Sequence, residues 1–180
     1  IKIFNNLMDW TEINSFDQIE INKFNTLIIC DIDDTLLYFP GLGPNKYNQI
    51  FQYYSQMYLE TEIATTSACN FWNNLLENTE PVHTDIAGFS SLLLKSFLYD
   101  NEICFLTARP DYESNIEFTS NNFKSIHLDY NKFKVYYSHT IPKGEFIQSN
   151  IDLSKFTNII FIDDLDHNLL NVKSIFGNKI

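Results

Sequence analysis

The sequence predicts an α/β fold, a parallel sheet with helices on both faces, and three observations predict it. Four short apolar runs, around Leu27, Ile103, Val135 and Ile160, have the composition of strands buried on both faces. The segments between them carry apolar residues at helical spacing, and strands alternating with helices imply parallel pairing through right-handed crossovers. The runs end in residues that carry chemistry: Asp31 and Asp33, Thr107, the neighbourhood of Lys143, and Asp163 with Asp164. In a parallel sheet those ends share the edge where open α/β folds bind ligands.

Each element follows from a local signal. The run Thr11 to Ile21 is expected as a helix leading into the first strand, Leu27 to Asp31. Tyr38 to Pro44 is a turn-rich loop, and its Gly-Leu-Gly lacks the spacing and place of a dinucleotide loop. Asn45 to Asn78 is helical: Tyr47, Ile50, Phe51, Tyr54, Met57 and Tyr58 recur at spacings of three and four, and Ala64 to Leu76 repeats the pattern. Base rates of burial place these aromatics in the core. Pro81 breaks the pattern, and His83-Thr84-Asp85 starts a helix from Ile86 to Leu98. Glu102 to Thr107 is the second strand, Asp111 to Phe123 a helix, and Lys134 to Ser138 the third strand. Pro142-Lys143-Gly144 then punctuates a short helix from Glu145 to Ile151. Asn158 to Asp164 is the fourth strand, and Leu165 to Phe176 the last helix.

A length of 180 residues suggests one domain with an insertion. Hydrophobic content of 44% and aromatic content of 16% supply ample core material. The net charge of −11 argues against nucleic acid as a partner, because phosphate binding needs clustered Lys and Arg. No apolar run approaches the ~20 residues of a membrane span. A soluble, cytoplasmic protein is expected, with secretion left open because the chain starts at Ile1 without a Met. Cys30, Cys69 and Cys104 form an odd set without metal spacing, and a reducing compartment fits them.

The strand ends bring together three or four carboxylates, one hydroxyl and one ammonium. Converging carboxylates repel unless a cation sits among them, and an all-oxygen donor set favours Mg²⁺ over zinc. The histidines at 83, 127, 139 and 167 show no ligand spacing. A hydroxyl and a lysine beside a metal suit the oxygens of a phosphoryl group. Each residue also has a plainer reading. Asp33 or Asp34 caps a helix, Thr107 caps the one that follows it, and Asp163-Asp164 is a solvated turn. Lys143 pairs with Glu145, and Arg109 either binds substrate or pairs with Asp111.

These motifs resemble those of the haloacid dehalogenase (HAD) superfamily of Mg²⁺-dependent phosphotransferases. Asp31-Ile32-Asp33-Asp34-Thr35 matches its first motif, Phe105-Leu106-Thr107 its second, Lys143 before a helix its third, and Phe161-Ile162-Asp163-Asp164 its fourth. The four occur in the required order across residues 27 to 168. The Leu42-Gly43 loop, Thr107-Ala108-Arg109 and Pro142-Lys143-Gly144-Glu145 further resemble a poorly characterised acid-phosphatase-like branch. The resemblance implies a Rossmann-like, HAD-like parallel sheet with a small helical cap. The core would span about 26–39 and 81–180, and the cap insertion about 40–80. It implies a phosphatase hydrolysing a phosphomonoester of a small molecule. Asp31 would be the nucleophile that forms an aspartyl-phosphate. Asp33 would be the general acid and base. Thr107 and Lys143 would hold the phosphoryl oxygens, with Arg109 beside them. Mg²⁺ would bind Asp31, the Asp33 carbonyl and Asp164, supported by Asp163. Two alternatives stand beside this reading: a polynucleotide 3′-phosphatase, and a binding or effector protein that keeps the fold without turnover.

Overall fold

The structure, a computed structural model, describes residues 1–4, 10–21, 24–43 and 45–177. Two short strands precede the first apolar run: β1 (Lys2–Phe4) and β2 (Thr11–Glu12), which pair antiparallel. The run itself forms β3 (Thr26–Cys30), buried along its whole length. A two-residue strand, β4 (Leu37–Tyr38), leads out to α1 (Lys46–Met57) and α2 (Thr61–Glu77), and β5 (Val82–His83) returns antiparallel to β4. Then follow α3 (Ile86–Leu98), β6 (Glu102–Thr107), α4 (Glu113–Ser125), β7 (Lys134–Tyr137), α5 (Lys143–Asn150), β8 (Asn158–Asp163) and α6 (Asp166–Phe176).

The result is a mixed α/β fold with a mostly parallel, Rossmann-like sheet in the order β2-β1-β8-β3-β6-β7. The four long strands are parallel, and β1 joins β8 antiparallel at one side. From β3 the chain steps outward to β6 and β7, then crosses back to place β8 on the other side of β3. The crevice between β3 and β8 is therefore the topological switch point, the place where such sheets take ligands.

Strand periodicity divides the core in two. Ile28 and Cys30 of β3, Phe105 of β6, and Ile160 and Ile162 of β8 pack on one face with Phe89 and Leu92 of α3 and Phe123 of α4. Leu27 and Ile29, Cys104 and Leu106, and Ile159 and Phe161 pack on the other face with Ile147 of α5 and Leu169 and Val172 of α6.

Two expectations are corrected. Thr11 to Ile21 is not a helix. It forms β2 and one 3-10 turn at Phe16–Gln18, after which Ile19 is extended. Tertiary contacts win over propensity: Ile13 donates its amide to Ile1, and Phe16 inserts edge-on against Phe89 at 5.3 Å. The aromatics of the helical pair are mostly not core residues. Of the six periodic positions in α1 and its C-cap only Ile50 is buried, whereas Tyr53, Met57, Tyr58 and Phe71 are exposed. α1 and α2 pack on each other rather than on the sheet, closely enough that Ala64 and Ala68 are buried. Among the described residues no helix is long and apolar enough to cross a membrane.

Asp85 joins the N-terminal segment to this frame. Its Oδ1 accepts from the Gly88 amide (2.9 Å) and caps α3, while Oδ2 accepts from Ser15 Oγ (2.5 Å) and the Phe16 amide (2.9 Å). Burial acts to raise its carboxyl, but these hydrogen bonds outweigh it and hold it below the ordinary value of 3.8. A depressed carboxyl contributes stability that is fully present above the unfolded value and lost as pH falls through the folded one. Asp85→Ala is expected to cost about 1–2 kcal/mol in urea denaturation at neutral pH. The gap from wild type should close below the ordinary carboxyl range, and a gap that persists there would assign the effect to packing.

Candidate active site

The parity of two strands brings the acids together. Asp31 follows Leu27 and Ile29 on the α5/α6 face of the sheet, and Asp163 follows Ile159 and Phe161 on the same face. The strands run in register, Cys30 beside Ile162, and the Asp31 amide donates to the Ile162 carbonyl at 2.9 Å. Both carboxylates therefore meet Lys143, the first residue of α5. Its Nζ donates to Asp31 Oδ1 (2.5 Å) and to Asp163 Oδ2 (2.7 Å), and its side chain is 3% exposed. Gly144 makes this placement possible. Its amide donates to Asn171 Oδ1 (2.7 Å), and a Cβ there would come within 2.8 Å of that oxygen and 2.9 Å of the Asn171 carbonyl.

Asp163 is fully engaged. Besides Lys143 it accepts from the Leu165 amide (2.9 Å) and from Asn168 Nδ2 (3.0 and 3.1 Å). Half-buried Asp164 completes the acidic cluster: one carboxylate oxygen each from Asp31, Asp163 and Asp164 lies within 4.8 Å of the others. Burial pushes Asp31 up to about 8, with Asp163 and Asp33 adding to it against the opposing Lys143. Burial likewise pushes Asp164 up to about 6, helped by Asp163 and Asp34. Burial alone would lower Lys143, but Asp31 and Asp163 outweigh it and hold it above its ordinary value. With all three acids ionised, the cluster would carry more negative charge than one ammonium compensates.

A tight turn turns the chain away after β3. The Ile32 carbonyl accepts from the amides of Leu36 and Leu37, both at 3.0 Å, and Asp34 adopts φ +59°. Asp33 caps no helix. It forms a two-pronged ion pair with Arg109, Nε to Oδ2 at 2.9 Å and Nη2 to Oδ1 at 2.6 Å. Arg109 Nη1 donates to Thr119 Oγ1 (3.0 Å), and the guanidinium sits 4.9 Å over the Phe118 ring. Thr107 is buried at the next strand end. Its Oγ1 accepts from the Arg109 amide (3.1 Å), so it caps the turn out of β6 rather than α4. Its carbonyl accepts from the Ser138 amide (2.8 Å), tying β6 to β7.

Beside Asp33 opens a cleft of about 380 Å³. Phe39, Leu42 and Phe118 line it from the sheet side, and Trp72 and Leu76 of α2 from the helical pair. Asp33, Asp34 and Arg109 also line it, and Asp31 does not.

Most of the residues that sequence places at the strand ends do converge: Asp31, Asp163, Asp164 and Lys143 in one cluster, Asp33 and Arg109 beside it, and Thr107 on the neighbouring strand. Two pairings differ from the plainer expectations. Lys143 turns inward and Glu145 is exposed, and Arg109 takes Asp33 rather than Asp111. Sequence reasoning left Asn168 without a role and passed over Asn171 and Thr119. Asn168 had a signal, since the first turn of a helix directly after Asp163 can reach back to it. No family model, curated protein or solved structure matches the chain.

Breaking a buried ion pair by removing one partner typically costs ~3–5 kcal/mol. Lys143→Met leaves Asp31 and Asp163 without their counter-ion and is expected to lose that much in metal-free urea denaturation. A loss within about 0.5 kcal/mol would be the behaviour of a solvated surface lysine.

Proposed function

We propose that this chain is a Mg²⁺-dependent phosphomonoesterase of the haloacid dehalogenase type, working through Asp31. One observation carries the reading: Asp31, Asp163 and Asp164 meet within 4.8 Å at the switch-point crevice, with Lys143 buried between two of them. A solvated acidic turn would not build a buried ammonium into itself. The donor set fits the metal that the resemblance implies, because it offers crowded carboxylate oxygens, without nitrogen or sulfur, and an excess of negative charge. Asp31, the Asp33 main-chain carbonyl and Asp164 would hold Mg²⁺, which would screen the phosphate from the approaching carboxylate.

The chain's own residues account for the rest of the cycle. Lys143 engages Asp31 Oδ1 and leaves Oδ2 to attack phosphorus. Protonation of Asp33 from solvent frees one of its oxygens from Arg109, and Asp33 gives that proton to the leaving oxygen as the bond from phosphorus to the ester oxygen breaks and the aspartyl-phosphate forms. Asp33 then takes a proton from water, which attacks phosphorus, releases inorganic phosphate and regenerates Asp31. Lys143 and the Thr107 hydroxyl hold the phosphoryl oxygens during transfer. Asp163, whose partners are Lys143, Leu165 and Asn168, keeps the ammonium in place. Arg109 is a positioning residue for Asp33, since each of its guanidinium nitrogens donates to Asp33 or to Thr119.

The direct test is turnover of p-nitrophenyl phosphate. Wild type is expected to hydrolyse it with Mg²⁺, and neither chelation nor Asp31→Asn should leave measurable activity. Full activity in Asp31→Asn would remove the nucleophile from this scheme. The role of Arg109 has a separate signature. Arg109→Lys cannot reproduce the two-pronged pair. It is expected to lower kcat about 10-fold or more with KM nearly unchanged, the pattern of a lost transition-state contribution. A rise in KM at constant kcat would instead make Arg109 a substrate ligand.

A further inference from the structure

The cleft has a position, a size and a charge that together restrict what leaves. It opens beside Asp33, the group assigned to the leaving oxygen, and does not reach Asp31. It therefore lies on the leaving-group side of the phosphate. Aromatic and aliphatic side chains line it from both sides, interspersed with charged and amide groups. Phe39 and Phe118 stand with ring planes within 10° of each other, and Trp72 of α2, held edge-on by Tyr47, contributes a third ring. Its volume, about 380 Å³, falls in the lower part of the ~300–1,000 Å³ range of small-molecule sites.

Its charge is one-sided. Asp34 and Glu77 line it, and the cation among its lining residues is Arg109. Every guanidinium nitrogen of Arg109 already has a protein partner, and one of its faces lies on Phe118. A second anionic group on the substrate would meet carboxylates and a cation already ion-paired with Asp33. Asn73 and Asn115 add amides that can pair with the edges of a flat heterocycle or with hydroxyls.

We propose that this cleft selects an uncharged, flat, hydrogen-bonding alcohol of nucleoside size, so that nucleoside monophosphates are the preferred substrates. The proposal rests on the phosphomonoesterase reading. A nucleoside monophosphate presents its one phosphate to Asp31, its base to the aromatic walls, and its polar edges to Asn73, Asn115 and Glu77. Sugar bisphosphates, phosphorylated carboxylic acids and polynucleotide ends carry the extra charge that the cleft repels. A bare amino-alcohol leaves most of the volume empty.

The experiment compares kcat/KM of the full chain with Mg²⁺ on four esters: p-nitrophenyl phosphate, adenosine 5′-monophosphate, ribose 5-phosphate and adenosine 3′,5′-bisphosphate. Adenosine 5′-monophosphate is expected to exceed ribose 5-phosphate about 10-fold or more, since remote binding energy drives the chemical step. It should exceed the bisphosphate by a similar factor. Trp72→Ala should reduce the preference over ribose 5-phosphate by roughly 10-fold, about one aromatic contact, and Trp72→Phe should keep most of it. Glu77→Lys, a change at an exposed position, should narrow the penalty on the bisphosphate. Equal rates on the monophosphate and ribose 5-phosphate, or a preference that survives Trp72→Ala, would overturn the assignment of the cleft. These outcomes are separate from failure of the hydrolase reading, which would show as no turnover of any ester, p-nitrophenyl phosphate included, and would take this proposal with it.

Discussion

Lys143 lies 3% exposed between Asp31 and Asp163, and removing it would leave two carboxylates at a buried site without their counter-ion. Desolvating an ammonium and two carboxylates is costly, so the fold must hold them in geometry good enough to offset that cost. The surrounding contacts serve this end. Gly144 lets α5 start against Asn171, which delivers Lys143 to the sheet edge. Asn168 and the Leu165 amide satisfy the remaining acceptors of Asp163. Even so, two carboxylates face one ammonium, and Asp164 adds a third acid. The excess remains with the acids, and it falls in the crevice where the sheet reverses its strand order.

Sheet geometry also divides the site into two working halves. Side chains alternate along a strand, so residues 31 and 163 share the α5/α6 face with their apolar predecessors. On the other side of the sheet edge, the turn after Ile32 sends Asp33 toward α4. There Arg109, Thr119 and Phe118 receive it. The buried ammonium and its two aspartates lie on one side of the sheet, and the cleft opens on the other. In the proposed cycle these halves correspond to the attack on phosphorus and the departure of the alcohol.

How much of this the sequence disclosed depends on how local each signal is. β3, β6 and β8 were legible because burial on both faces writes continuous apolar runs, and because the acids or threonine at their ends interrupt those runs abruptly. The helices were legible through their spacing. β1 was not, because three residues carry no period. Thr11 to Ile21 misled because Ile13, Phe16, Ile19 and Ile21 are all buried and mimic one helical face, although each reaches the core by a different route. The aromatics of α1 misled for a related reason. Periodicity says which residues share a face, and says nothing about whether that face meets the sheet. Arg109 could have been matched with Asp111 or a substrate from proximity alone. Its partner, 76 residues away, follows from which strand ends adjoin, and that requires the strand order.

On the proposed function, the helical pair would let chemistry and selectivity vary separately in this chain. α1 and α2 depart from and return to the sheet through β4 and β5, two residues each. They pack on each other and contribute little to the main core, so changes in them leave the buried charges untouched. Yet Trp72 and Leu76 of α2 form one wall of the cleft, with Phe39 and Phe118 lining it from the sheet side. A wall carried on so narrow a ribbon can be resized or recharged at small cost in stability, whereas Asp31, Lys143 and Asp163 tolerate no such freedom. In the proposed cycle, therefore, the residues that would decide what binds sit where the fold is least constrained, and those that would react sit where it is most constrained.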